Sequence, residues 1–331
     1  LNFRDDELNG MIADDLALFH SSDGVDWEYV GGTVDIEDNS ISVEAPELDI
    51  ANGYWTAGIP GCADSIAINY NNTAFGGAYT CTYHYDEEFD IGANLMSFYG
   101  NDGNLSVQHQ METLEAAYGL IGEGVAATKL ANGTWVGSLV YTEPESGYWA
   151  LLDMEDSLDF EGQPIHTDIE YCLHTGANLI SYSNPVSYEI ADALPDEIEA
   201  SLDGIIGQGV AAVRLPNGSW VGSLTGLSKW EGYWFKSNSE EEVCFEYENS
   251  FTLPRVASKP TIEIPEEIAF TQSSKQAFYF IEDILGVTED DFIVALKGNT
   301  VVGSTPYTGE YTTIPVMGDD GNDYSTGYVK D

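Results

Sequence analysis

The chain has 331 residues, with 57 Asp and Glu against 10 Lys and Arg, a formal charge of −47. Nucleic acids and anionic membrane surfaces both demand clustered Lys and Arg, so the composition excludes them as expected partners. No run of roughly 18 apolar residues predicts a bilayer span or membrane insertion. Hydrophobic residues at 43% and aromatics at 12% suffice for packed cores, so this is no disordered acidic tail. Such a charge repels itself unless salt or divalent cations screen it. A halophilic, marine or calcium-rich setting fits.

Residues 1–88 alternate apolar and polar side chains in short runs. Leu16-Ala-Leu-Phe19, Trp27-Glu-Tyr-Val30, Thr33-Val-Asp-Ile36 and Ile41-Ser-Val-Glu44 are separated by Ser-, Gly- and Asp-rich turns. The spacing predicts an antiparallel β-sandwich module. Ser22-Asp23-Gly24-x-x-Trp27 is similar to the hairpin tips of Asp-box repeats, which are structural turns.

A duplication organises the middle. Gly-Ala-Asn-Leu occupies 92–95 and again 176–179, an offset of 84. Gly122-Glu-Gly124-Val-Ala-Ala recurs as Gly207-Gln-Gly209-Val-Ala-Ala, Asn132-Gly-Thr-Trp135-Val-Gly-Ser-Leu139 as Asn217-Gly-Ser-Trp220-Val-Gly-Ser-Leu224, and Gly147-Tyr-Trp149 as Gly232-Tyr-Trp234, all at an offset of 85. The blocks define β repeat A (89–165) and β repeat B (166–253). Asn-Gly between strand-like runs predicts a two-residue type I′ hairpin. Val107, Met111 and Leu114 fit one helical face behind Ser106 as N-cap, and Tyr188 to Leu194 offers the second copy's helix before Pro195. Each repeat is therefore expected to be a small β unit with one short helix.

Cys62, Cys81, Cys172 and Cys244 contain no C-x-x-C and suit two disulfides in an oxidising compartment. Cys172 and Cys244 flank repeat B, and both lack a counterpart in repeat A, as a pair gained or lost together would. The expected bonds are Cys172–Cys244 and Cys62–Cys81. The chain opens on Leu1 without a basic-then-apolar leader and stops abruptly, which suggests a mature or trimmed piece of something longer.

Residues 254–331 begin with a linker-like stretch holding Pro254, Pro260 and Pro265 and continue as strand-like runs. A second β-sandwich is expected, short of its full set of strands. The whole chain thus reads as mainly β, a tandem of small sandwich-like domains.

The repeat blocks, taken with Gln272-Ser-x-x-Gln-Ala-Phe-Tyr-Phe280 and Val316-Met-Gly-Asp-Asp-Gly321, resemble tandem β modules near the C-terminal ends of large secreted marine bacterial surface proteins. The resemblance covers roughly residues 90–331. It implies extracellular, cell-surface β modules and carries no catalytic residue onto this chain.

Signatures of chemistry are sparse. His20, His84, His109, His166 and His174 form no H-x-H or H-E-x-x-H spacing. Gly137-Ser138 and Gly222-Ser223 lack the second glycine of a nucleophile elbow. Gly122-x-Gly124 and Gly207-x-Gly209 lead into strands rather than helices, which argues for close backbone packing or a bulge rather than a phosphate cradle. Asp319-Asp320-Gly321-Asn322-Asp323 sets four side-chain oxygens around a glycine turn, a candidate calcium site through Asp319, Asp320, Asn322 and Asp323; Glu289-Asp290-Asp291 is a weaker one. Trp135, Trp149, Trp220 and Trp234 recur as a repeated core would require. Trp230 has no counterpart and is the better candidate for an exposed, sugar-stacking aromatic. Asn71, Asn104, Asn132 and Asn217 head N-glycosylation motifs, the last two already explained by turn chemistry.

The expected function is a non-enzymatic extracellular structural or adhesive protein, a β subunit of a surface fibre, filament or matrix. Its partners would be further copies of itself, joined by strand exchange, or other surface proteins. The alternative is a set of carbohydrate-binding modules from a secreted glycan-processing protein, with glycans as the ligand.

Overall fold

Short apolar runs between turn residues become strands throughout, and the computed structural model is mainly β. It describes residues 1–4, 8, 11–21, 27–43, 53–72, 74–75, 81–165, 169–248, 264–282, 284–288, 291–309 and 311–330. The Asp-box-like Ser22–Gly24, Thr73, His166, Pro254, Pro260, Glu289 and Asp290 lie outside these residues. The chain divides into two compact units. One holds Leu1–Tyr85 with Gly100–Gly103 and Phe160–Ile165, and the other holds Asp86–Tyr99, Asn104–Asp159 and His166–Asp331.

In the first unit the strand Ala17–Ser21 pairs antiparallel with Glu28–Gly31 on one side and Tyr54–Pro60 on the other. Alternation assigns the faces. Leu16 and Leu18 join Phe3 and Ile41 in one core, while Phe19 meets the ring of Phe75 at 5.0 Å. The Cys62–Cys81 disulfide is present and buried beside Ala67. In the same unit Gly100 and Asn101 pair with Pro164 and Gln163.

The second unit contains the five-stranded sheets of both repeats, and they share one topology. Repeat A orders its strands Trp135–Gly137, Ala126–Lys129, Ala117–Ile121, Gly147–Leu152 and Gly92–Ser97 across an antiparallel sheet. Repeat B lays down Trp220–Gly222, Ala211–Arg214, Leu202–Ile206, Tyr233–Ser237 and Gly176–Ile180 in the same order. Even a β-bulge recurs, between Ala117 and Gly119 and between Leu202 and Gly204.

Two local expectations are corrected. The Asn-Gly hairpins are not type I′, because Gly133 and Gly218 have positive φ (85° and 90°) but Asn132 and Asn217 do not. Leu130 N–H donates to Thr134 O and Gly133 N–H to Leu130 O, and Leu215, Gly218 and Ser219 repeat the pattern. This is a three-residue loop closed by a left-handed glycine, the next most common hairpin connection after the two-residue turns. The Asn side chains accept from Thr134 and Ser219 N–H, both at 3.0 Å.

The helices differ too. Repeat A has one turn, Val107–Gln110, with Val107, Met111 and Leu114 buried as expected, although the Ser106 side chain makes no capping bond. Repeat B has two, Ile190–Ala193 and Asp196–Glu199, rather than one. Pro195 explains the break, since it cannot continue the first turn and serves as N-cap of the second.

Cys172 and Cys244 face each other across the antiparallel pair Tyr171–Leu173 and Val243–Phe245, and they are bonded. The C-terminal strands form two ladders, Gln276–Ile281 with Thr312–Met317 and Phe292–Lys297 with Thr300–Pro306. Gly303 lies directly against the Pro315 carbonyl, where a side chain would not fit, and Val302, Met317 and Tyr328 form the core between the ladders.

Candidate functional site

The two repeats meet face to face about a pseudo-twofold axis, and the duplicated motifs build that face. Leu95 N–H donates to Gln208 Oε1 at 2.7 Å, and its counterpart Leu179 N–H donates to Glu123 Oε2 at 2.8 Å. Ser97 N–H donates to Trp230 O and Ser181 N–H to Glu145 O. Isolated bridges join Met96 to Glu231 and Ile180 to Ser146. Each contact is matched by its repeat equivalent. Inside this ring of hydrogen bonds Ala93, Leu95, Trp149, Leu151 and Leu179 are buried together, with Trp234 packed against them.

The motif residues have visible jobs. Gly147 and Gly232 sit where a Cβ would come within 2.8 Å of Ile180 O and 2.6 Å of Met96 O, so only glycine lets the backbones touch. Tyr148 and Tyr233 accept from the N–H of Glu143 and Ser228 at 2.7 and 2.8 Å, bracing equivalent turns. Burial pushes the Tyr148 hydroxyl up to about 12 and raises that of Tyr233 well above the usual phenol range, so both stay neutral. Asn94 and Asn178 are buried and close equivalent loops, accepting from Asp90 and His174 N–H and donating back to the same residues' carbonyls. Gly122-x-Gly124-Val and Gly207-x-Gly209-Val are tight turns, with Gly122 N–H bonded to Val125 O and Gly207 N–H to Val210 O. Their middle residues, Glu123 and Gln208, reach the opposite repeat. Sequence reading passed over these two residues; the signal was that both "x" positions carry a carbonyl-type acceptor of the same length.

One histidine joins the face. His174 Nε2 lies 2.6 Å from Glu123 Oε1, and Nδ1 lies 2.9 Å from Thr175 O. The Thr175 carbonyl and the Glu123 carboxylate raise its pKa above the ordinary imidazole value. With an acceptor at each ring nitrogen, the imidazole acts as a cationic strut; a general base would need a lone pair there.

Trp230 is a correction. It is only 6% exposed, sits at φ +69°, and packs edge-on against Tyr99 with centroids 6.1 Å apart. Its backbone is needed at the repeat contact, and the ring folds inward with it, so no exposed sugar platform exists there. Trp149 and Trp234 lie on the inter-repeat face. Trp220 is half-buried and donates to Glu199 Oε1 at 3.1 Å.

The acidic run near the C-terminus serves as a hydrogen-bond hub. Asp320 Oδ2 accepts from Tyr324 OH at 2.8 Å and from the Ser274 N–H and hydroxyl at 3.1 Å. Oδ1 accepts from the Ser325 hydroxyl at 2.7 Å and from Asn322 N–H at 3.3 Å. Partial burial pushes its carboxyl up, but the bonds from Ser325, Tyr324, Ser274 and Asn322 outweigh this and hold it at about 2. Asp319 accepts from Gly321 N–H and pairs with Lys330 at 3.3 Å. Among the described residues, the one group of three His, Cys, Asp or Glu ligand atoms that converges is Glu170 with Cys172 and Cys244, whose sulfurs are already spent in a disulfide.

The same hub explains the Gln-Ser-x-x-Gln block. The Ser273 hydroxyl donates to Gly318 O, and Gln272 Nε2 donates to Gln276 Oε1. Gln272 O accepts from Ala93 N–H of repeat A, while Gln276 Nε2 donates to Gly207 O of repeat B. The Gln-Ser-x-x-Gln block therefore clamps both repeats, and the Asp-Asp-Gly run braces the C-terminal segment that carries it. No described helix is long and apolar enough to cross a membrane. No family model, curated protein or solved structure matches the chain.

Proposed function

We propose that this chain is a non-enzymatic, extracellular or cell-surface building segment, an acidic β subunit of a fibre, filament or matrix. The observation that carries the reading is the inter-repeat face. The recurring Leu95 and Leu179, Gln208 and Glu123, and Gly147 and Gly232 are all spent in a self-matching contact between the copies. Two disulfides suit an oxidising exterior, and the charge of −47 suits surroundings that screen it.

The C-terminal strands supply a route to assembly. Among the described residues, Phe292–Lys297 has a ladder partner on one side alone, and no residue of the strand is fully buried. An apolar strand edge of this kind is a template for a strand from a second copy or a neighbouring surface protein. Electron microscopy of the purified protein in high salt with calcium present tests the proposal. Filaments or ordered arrays, lost in an Ile293→Lys variant that still folds, are the expected result. A monodisperse monomer at high concentration would remove the strand-exchange reading.

A further inference from the structure

A cleft of about 790 Å³ opens where the leading edge of repeat A, the hairpin side of repeat B and the C-terminal strands come together. Its acidic side chains are Asp90 and Glu231, and among the described residues no Lys or Arg lines it. The remaining polar groups are hydroxyls and amides, including Ser304, Thr305 and Thr225. Apolar surface comes from Phe270, Pro306 and Pro315 among others. Ser304 is only 3% exposed, and its hydroxyl has no hydrogen-bond partner among the described residues. A buried hydroxyl left unpaired is costly, and a turn of the Ser304 χ1 toward the cleft would let a ligand supply the missing partner.

From this geometry we infer that the cleft binds a neutral saccharide of one or two rings. Anions are opposed by both carboxylates and by the charge of the whole chain. A quaternary ammonium wants an aromatic cage, whereas the aromatic rings here are Phe270 and Tyr233, the latter buried with its hydroxyl committed to Ser228 N–H. A sugar matches the mixture that remains. Its hydroxyls donate to carboxylates and exchange bonds with Ser and Thr, while its C–H faces lie on proline and phenylalanine. The inference is independent of whether the chain assembles into fibres, since a surface scaffold can also carry a sugar site.

Saturation-transfer NMR and titration calorimetry in 0.5 M NaCl would test it with cellobiose, lactose, maltose and mannobiose, using choline as the cationic probe. At least one disaccharide should bind and choline should not. Ser304→Ala should weaken that disaccharide by about three- to tenfold, while the unliganded melting temperature stays level or rises because an unpaired buried hydroxyl has gone. Asp90→Asn, at an exposed position, should weaken it as well. Binding of choline in preference to every sugar, no binding of any sugar, or unchanged sugar affinity in both variants would overturn the inference.

Discussion

Repeats A and B carry the same five strands in the same order, yet they are secured differently. Repeat B has a disulfide across its ends, a second helical turn and the buried carboxylate of Glu199 placed between Trp220 and Arg214. Repeat A has an apolar residue, Leu114, where Glu199 stands, and Lys129 where Arg214 stands; that lysine caps the Glu115 carbonyl instead. Identical motifs thus fix topology and the mutual contact, while the interior of each copy is free to diverge. The shared face is the more constrained object because each motif residue on it has to satisfy its own fold and its twin's.

The strongest way to break the equivalence is at the tryptophans. Trp149 is buried at 3% exposure while its twin Trp234 is only partly buried. Trp149→Ala should cost about 3–5 kcal/mol and Trp234→Ala distinctly less, read by denaturant unfolding. Next comes the bond that repeat A lacks. Replacing Cys172 and Cys244 by Ser releases a 72-residue loop and should cost about 2–4 kcal/mol. The loss should fall on repeat B amides in hydrogen exchange and leave repeat A protected; equal loss in both copies would show that the disulfide holds the pair as one block.

Gly232→Ala should cost about 1–3 kcal/mol by forcing the copies apart, and Gly147→Ala about the same if the axis is a true pseudo-twofold. The smallest effect sharpens the asymmetry. His174 faces Glu123, whereas the equivalent positions hold Asp90 and Gln208, so a glutamine stands where a second glutamate would repel an aspartate. Because the folded His174 pKa is raised, its contribution is fully present below about pH 6.5 and fades as pH rises through the raised value. Both groups are exposed, so screening holds it below about 1 kcal/mol. The melting temperature of wild type should therefore fall slightly more than that of His174→Gln between pH 6 and pH 9.

Much of this was legible in the chain. The duplication, both disulfide pairings and the mainly β class follow from spacing, turn residues and the paired absence of two cysteines. The inter-repeat face was not, because a residue that recurs is equally required by a repeated core and by a contact between the copies. Trp230 misled for a related reason. It lacks an aromatic twin, but its counterpart Glu145 lends the same backbone carbonyl to the contact, and backbone roles leave no mark on side-chain identity. The hairpin loops were misassigned because Asn-Gly serves both turn geometries. The cleft draws its walls from segments far apart in sequence, which no local pattern reports.

The contact between the copies is isologous, and an isologous interface saturates itself: once two copies have met, no matching half remains to recruit a third. Any longer array made from such chains has to grow through other surfaces. Its structural period along the array would then be one pair of repeats, roughly twice the spacing that the sequence periodicity by itself suggests.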